Sequence, residues 1–178
     1  SIEISSLTVT NTNKDGIYVN ENSTMITIQN TKFDLTCDSD YYNSPMAIAA
    51  FGQVYGISIL DNNIKMVSEA GYNYGIDISN YLPAPAWDHG AGNAELIDVR
   101  NNVINITSTV NSGMVEAMYI DSVVNSEFVN NTIYTYSGEG VANYGMALVD
   151  SWGYTVMGNL FEDDYTGSVW DGGSQNIK

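Results

Sequence analysis

The sequence has very few cationic side chains. Five lysine and arginine residues stand against 21 aspartate and glutamate residues, so the net charge is −16 over 178 residues. Nucleic-acid-binding proteins need clustered Lys and Arg, and this composition excludes that class. The same charge disfavours anionic membrane surfaces. It is compatible with a cation-rich extracellular setting, and we expect a location outside the cell or at the cell surface.

Cysteine, long apolar runs and helical periodicity are also missing. The single Cys37 excludes an intrachain disulfide and a cysteine-based zinc site, and it is interpreted as a small hydrophobic residue near a strand end. No secretion signal or membrane-spanning run is present, so no membrane insertion is expected. A chain that begins at Ser1 is interpreted as a processed protein or an excised piece. Its length predicts one domain over residues 1–178.

One phrase of alternating apolar residues followed by a polar pair recurs along the chain. The copies are ITIQNTKF from Ile26, ISILDNNI from Ile57, IDVRNNVI from Ile97, SEFVNNTI from Ser126 and YTVMGNLF from Tyr154. Their alignment gives two apolar columns, Ile28, Ile59, Val99, Phe128, Val156 and Phe33, Ile64, Ile104, Ile133, Phe161. Between them lies a polar column, Asn30, Asp61, Asn101, Asn130 and Gly158, at steps of 31, 40, 29 and 28 residues. A nearly constant period in this range indicates a solenoid.

The repeat unit is made of strands, because its apolar residues alternate with a period of two and are β-branched or aromatic. A further strand phrase follows a glycine in each turn, for example at Gly16, Tyr74 and Tyr144. Stacked turns of this kind predict a right-handed parallel β-helix with roughly 28–31 residues per coil and about six coils. We expect Asn30, Asn101 and Asn130 to point inward in one stack, as amide ladders do. Asp61 in that stack is expected either to accept hydrogen bonds from backbone N–H groups or to sit half open.

The 40-residue step contains a loop insertion over residues 81–93. This stretch, YLPAPAWDHGAGN, includes Tyr81, Trp87 and the only histidine, His89. Together with Tyr41 and Tyr42 in the polar loop 36–45, these aromatic residues are candidates for contact with a partner or a glycan, since Tyr and Trp are favoured at interfaces. The alternative is a surface excursion or a packing lid.

Alternation places a polar column on the outer face, formed by Thr27, Ser58, Asp98, Glu127 and Thr155. Asp98 and Glu127 would be stacked neighbours with backbones roughly 5 Å apart. Such a pair can splay into water, bind a cation or, in a glycosidase, act in catalysis. Asp38 and Asp40 are loop acids of the same kind. Ca²⁺ is therefore a possible ligand at either place, and no other cofactor is expected.

Three Asn-x-Ser/Thr sequons occur. Asn105 points outward by alternation and Asn22 lies in a polar turn, so both are candidate glycosylation sites. Asn130 belongs to the predicted inward stack and is expected to be inaccessible.

The phrases IQNTKF, LDNNI, RNNVI, VNNTI and MGNLF resemble the parallel β-helix repeat of pectin-lyase-like proteins, a superfamily of pectate lyases, polygalacturonases, phage tailspikes and adhesins. Its lyases imply a Ca²⁺-binding Asp cluster with an Arg or Lys base, whereas Arg100 beside Asp98 stands alone here. Its hydrolases imply Gly-His-Gly and Arg-x-Lys, whereas His89 lies in Asp-His-Gly and no Arg-x-Lys occurs. We therefore expect no enzymatic activity. The acidic, Asn- and Tyr-rich composition is more similar to adhesin-like and cell-envelope repeat proteins of methanogenic archaea.

These features predict a non-catalytic structural or adhesive surface protein. Neither end shows a capping helix, so the expected partner is a second copy of the chain, added end to end into a layer, sheath or filament. The alternatives are a polysaccharide-binding adhesin fragment, with carbohydrate or another cell surface as partner, and a polysaccharide lyase or glycoside hydrolase.

Overall fold

A computed structural model describes residues 1–10, 15–38, 44–69, 71–80, 93–109, 113–138, 141–162 and 167–172. These residues contain no helix, and hence none long and apolar enough to cross a membrane. Of the predicted insertion 81–93, residues 81–92 lie outside the described residues. The structural account concerns the strands on either side of it.

The described residues form 20 β-strands. In chain order these are β1 (Ile2–Ser5), β2 (Thr8–Thr10), β3 (Ile17–Val19), β4 (Thr24–Gln29), β5 (Lys32–Cys37), β6 (Met46–Phe51), β7 (Tyr55–Leu60), β8 (Asn63–Ser68), β9 (Tyr72–Ser79), β10 (Ala94–Glu95), β11 (Asp98–Arg100), β12 (Val103–Ser108), β13 (Met114–Asp121), β14 (Val123–Val124), β15 (Glu127–Val129), β16 (Thr132–Tyr136), β17 (Ala142–Val149), β18 (Thr155–Met157), β19 (Leu160–Glu162) and β20 (Gly167–Gly172).

The strands make three sheets in which every pairing is parallel. The first sheet has the order β1-β4-β7-β11-β15-β18, the second β2-β5-β8-β12-β16-β19 and the third β3-β6-β9-β13-β17-β20, with β10 and β14 extending the first. Each coil contributes one strand to each sheet, and the coils stack in sequence order. The predicted right-handed parallel β-helix of about six coils is confirmed.

The register between coils follows the repeat phrases. Ile28 pairs with Ile59, which pairs with Val99, and the column continues to Phe128 and Val156. The second predicted column pairs in the same way in the second sheet. The side chains of both columns fill the interior, and most are fully buried. Each large apolar side chain buried in this way contributes roughly 1.5–3 kcal/mol, so the repeat itself supplies the core.

The predicted inward stack of Asn30, Asn101 and Asn130 is wrong by one residue. These three residues and Asp61 are exposed, and their φ angles are 50°, 56°, 55° and 55°, in the left-handed region. A left-handed residue turns the chain from the first sheet into the second and interrupts the alternation of side chains. Asp61 therefore avoids the cost expected for a buried carboxylate, and Asn101 Nδ2 donates to its Oδ1 at 3.1 Å.

The inward stack consists of the residues that follow the bend, namely Thr31, Asn62, Asn102, Asn131 and Asn159. Nδ2 of Asn62 donates to the carbonyl of Ile28 at 2.9 Å and to Oδ1 of Asn102 at 3.0 Å. The same Oδ1 also accepts from the backbone N–H of Asn62 at 3.0 Å. Asn102 repeats the pattern with Ile59 and Asn131. Each of these buried amides thus donates to a backbone carbonyl of the preceding coil and to the amide oxygen of the following coil, which offsets the cost of its burial.

Candidate binding face

The predicted outer column on the first sheet is confirmed in its register. Asp98 pairs with Ser58 on one side and with Glu127 on the other. Arg100 lies between the two carboxylates, with its Nε donating to Asp98 and its Nη2 to Glu127. The guanidinium supplies the positive charge that a bound cation would otherwise supply. Ca²⁺ binding at this pair stays a prediction.

The other predicted site residues fall into three groups. Asp38 is exposed directly after β5, while Asp40, Tyr41, Tyr42, Tyr81, Trp87 and His89 lie outside the described residues. Asn22 and Asn105 are exposed, and so is Asn130. The expected inaccessibility of Asn130 is therefore wrong, because it is the outward-pointing bend residue. Within the described ranges, no group of three or more His, Cys, Asp or Glu side chains could hold a metal ion.

The third sheet carries a group of polar and aromatic residues on its outer face. The direction of these side chains follows from Asn143 in β17, whose Nδ2 donates to the carbonyl of Thr135 at 3.2 Å. Thr135 is fully buried on the core side of β16, so Asn143 points inward and Tyr144 points outward. Glu116 and Tyr74 occupy the matching positions in β13 and β9. They therefore share the outer face with Tyr144.

A second outward column lies three residues further along the same strands. Asp77 stands between Ile76 and Ile78, both in the core, and pairs with Tyr119 in the next coil. We call Tyr74, Asp77, Glu116 and Tyr119 the quartet. Its two tyrosine rings occupy one diagonal, with centroids 5.7 Å apart. Its two carboxylates occupy the other diagonal.

The carboxylates of the quartet are buried although they point away from the core. Glu116 is 1% exposed and Asp77 is 5% exposed. Burial raises the pKa of Glu116 to about 7. Burial also raises the pKa of Asp77 well above its ordinary value. A hydrogen bond from Ser79 lowers this pKa, whereas the charges of Glu116 and Asp121 raise it further.

Aromatic contacts continue along this face on both sides of the quartet. Tyr18 packs edge-on against Phe51 with ring centroids 5.4 Å apart, and Tyr144 packs against Trp170 at 6.2 Å. Within the quartet, burial and the nearby carboxylate of Glu116 raise the pKa of Tyr74, so this hydroxyl stays protonated. The outer face of the third sheet therefore combines aromatic surface, hydroxyl donors and carboxylate acceptors over consecutive coils.

The sequence pattern does not reveal the quartet, because its members are separated by up to 45 positions, from Tyr74 to Tyr119. The local signal was an acidic residue inside an otherwise apolar strand, as in GIDIS at Asp77 and MVEAM at Glu116. A carboxylate rarely occupies such a position without a function or a partner. That signal could have singled out Asp77 and Glu116 but not their pairing with the tyrosines.

Comparison with known proteins leaves the function open. No protein-family model matches the chain, and no curated protein sequence matches it. Among solved structures, the chain is similar to QnrB1, described as a plasmid-mediated fluoroquinolone resistance protein, at 13% sequence identity and a TM-score of 0.20. That match covers 99% of this chain and 91% of QnrB1. A structural similarity this weak gives no information about function.

Proposed function

We propose that the chain is a non-catalytic adhesive protein of a cell surface, and that the outer face of its third sheet binds carbohydrate. The observation that carries this proposal is the quartet, which sets two tyrosine rings against two carboxylates on adjacent coils. Tyrosine rings provide rigid amphipathic surface for the apolar faces of sugars. The carboxyl oxygens of Asp77 and Glu116 offer hydrogen-bond acceptors to sugar hydroxyls.

The repeat of the scaffold supports an extended ligand. Successive coils are roughly 4.8 Å apart, which is close to the length of one hexopyranose unit in an extended chain. Tyr18, Tyr74, Tyr119, Tyr144 and Trp170 lie on this face in five different coils. A linear polysaccharide running along the axis of the β-helix would meet an aromatic ring on five of the coils and the carboxyl groups of the quartet on two of them.

The electrostatics of the face support binding without hydrolysis. A glycosidase needs one carboxyl group that is protonated and one that is ionised, so the pKa values of the two groups must lie well apart. Here burial raises the pKa of both Asp77 and Glu116. The resemblance of the repeat to surface adhesins is consistent with a binding role outside the cell.

Affinity electrophoresis and titration calorimetry against neutral, acidic and amine-bearing polysaccharides test the proposal. Y74A combined with Y119A should abolish binding, whereas Y136A should leave it unchanged, because Tyr136 is an exposed tyrosine on the second sheet. Release of reducing or unsaturated sugar by the purified protein would contradict a non-catalytic role. An equal loss of binding in Y136A would mean that the binding site does not lie on the third sheet.

A second candidate function is self-association of the 178-residue chain. The coils formed by β1–β3 and β18–β20 expose apolar side chains, including Ile2, Leu7, Met157 and Leu160. Strand edges of this kind are templates for pairing with another chain. Sedimentation and electron microscopy at high protein concentration should then show end-to-end oligomers. A strictly monomeric chain, with and without Ca²⁺, would contradict this function and leave the carbohydrate site untouched.

A further inference from the structure

The quartet contains a carboxylate whose charge is not balanced by its surroundings. No described residue donates a hydrogen bond to either oxygen of the Glu116 side chain, and Oδ1 of Asp77 lacks a hydrogen-bond partner among the same residues. Both side chains are more than nine-tenths buried. A buried carboxylate without hydrogen-bond donors destabilises the folded protein unless it is protonated or is paired with a cation from a ligand.

The lysine and arginine side chains of the described residues are engaged elsewhere. Lys32 and Lys65 lie 3.6 and 3.9 Å from carboxylate oxygens of Asp34, on the second sheet. Arg100 bonds two carboxylates on the first sheet. None of the three belongs to the third sheet. The charges of Asp121, in β13, and of Asp15, which precedes β3, add further negative charge around Asp77. The described part of the chain therefore brings no cation to the quartet.

The chemistry of the face favours an ammonium group over a bare metal ion. Within the described ranges, no three acidic or imidazole groups converge as metal ligands. A primary ammonium needs fewer partners, since its three N–H donors can be shared between carboxylates and water. The rings of Tyr74 and Tyr119 add attraction to a cation placed over their faces.

We propose that the carbohydrate bound at the quartet is an amine-bearing one, such as a glucosamine oligomer, with its ammonium group bonded to Glu116 and Asp77. This inference rests on the proposed function, because it names the ligand class of the same face. It separates the chain from β-helix proteins that act on uronic acid polymers. Such polymers would bring negative charge to a protein of net charge −16.

The test compares an oligosaccharide that carries amino groups with its acetylated counterpart, in which those groups can no longer be charged. Calorimetric titrations at pH 6.5 and 150 mM NaCl compare a glucosamine hexamer with the N-acetylglucosamine hexamer of the same linkage, and a galacturonate hexamer serves as the acidic probe. We expect the glucosamine hexamer to bind about tenfold more tightly than its acetylated counterpart, which corresponds to one charged interaction. The galacturonate hexamer should not bind.

Two neutralising variants locate the effect. E116Q and D77N should each reduce the preference for the amine to about twofold or less while the acetylated hexamer still binds. E69Q is the matched control, since it removes one carboxylate charge at an exposed position after β8. Circular dichroism confirms that each variant is folded. A similar loss in E69Q would overturn the inference, because it would mean long-range attraction to any polycation.

The outcomes for the two proposals differ. If the acetylated hexamer binds as tightly as the amine and Y74A with Y119A abolishes both, the amine preference is wrong and the carbohydrate site stands. Binding of the galacturonate hexamer at the same face would likewise show that the amine preference is wrong while the carbohydrate site stands. If none of the three probes binds, or the double tyrosine variant binds them all unchanged, the carbohydrate site itself is wrong.

Discussion

Asn62 and Asn102 are joined by a side-chain hydrogen bond of 3.0 Å between Nδ2 of the first and Oδ1 of the second, across 40 residues of sequence. The same oxygen accepts a hydrogen bond from the backbone N–H of Asn62, so the Asn102 side chain stabilises the bend of the preceding coil. Since Asn102 in turn bonds Asn131, the amides form a buried ladder along the axis. The ladder sets the register of the first bend in four coils.

We expect N102A to destabilise the protein by about 2–4 kcal/mol, because it removes the donor to the carbonyl of Ile59 and the acceptor of the buried backbone N–H of Asn62. The measurement is the free energy of unfolding in urea. N101G, one residue earlier, is the control. Its φ of 56° suits glycine and its side chain is exposed, so the expected change is under about 1 kcal/mol. The reverse ranking would contradict the assigned ladder.

The stability of the protein should fall as the pH rises from 4.5 to 7. Burial raises the pKa of Glu116 from 4.5 to about 7, so the folded chain binds more protons than the unfolded chain in this window. The contribution of Glu116 is fully present below pH 4.5 and is lost above pH 7, with a size on the order of 3 kcal/mol. Asp77, whose pKa is also raised, adds to the effect.

The contribution of Glu116 is measured as the difference between wild type and E116Q in unfolding free energy at several pH values. E116Q should show a weaker decline with pH, while E69Q should keep the decline of the wild type. Parallel curves for wild type and E116Q would mean that Glu116 titrates normally and is not buried in the folded protein.

The glycine in β9 is expected to resist substitution. A Cβ atom at Gly75 would lie 2.6 Å from the carbonyl oxygen of Ala117 and 2.7 Å from Cγ2 of Ile104. The third sheet packs directly on the second at this point, so G75A should cost about 1–3 kcal/mol through overpacking. Thermal unfolding followed by circular dichroism measures the change. An unchanged midpoint would show that the two sheets are further apart than the structure places them.

The thiol of Cys37 should be unreactive in the folded protein. It is buried at the end of β5, and burial together with the charge of Asp38 raises its pKa to about 11. Since the thiolate is the reacting form, labelling by a disulfide reagent at pH 8 should be slow in buffer and fast in concentrated urea. Fast labelling of the native protein would contradict the interpretation of Cys37 as a core residue.

Much of the scaffold followed from local pattern. Alternating β-branched residues determined that the elements are strands, and the repeated phrases determined which strands pair. The column from Ile28 to Val156 lies in register as the alignment predicts. Pattern was sufficient here because each coil repeats the same apolar positions, and only one register buries all of them.

Only the tertiary structure decided which side chain of each polar pair faces the core, and which outer face collects the buried carboxylates. Asn101 and Asn102 are chemically identical, and the left-handed conformation of Asn101 alone turns Asn102 inward. Glu116 and Asp77 meet Tyr74 and Tyr119 because stacking brings two strands side by side that are far apart in sequence. Alternation along a strand carries no information about what a neighbouring coil presents, so the quartet exists only once the coils are stacked.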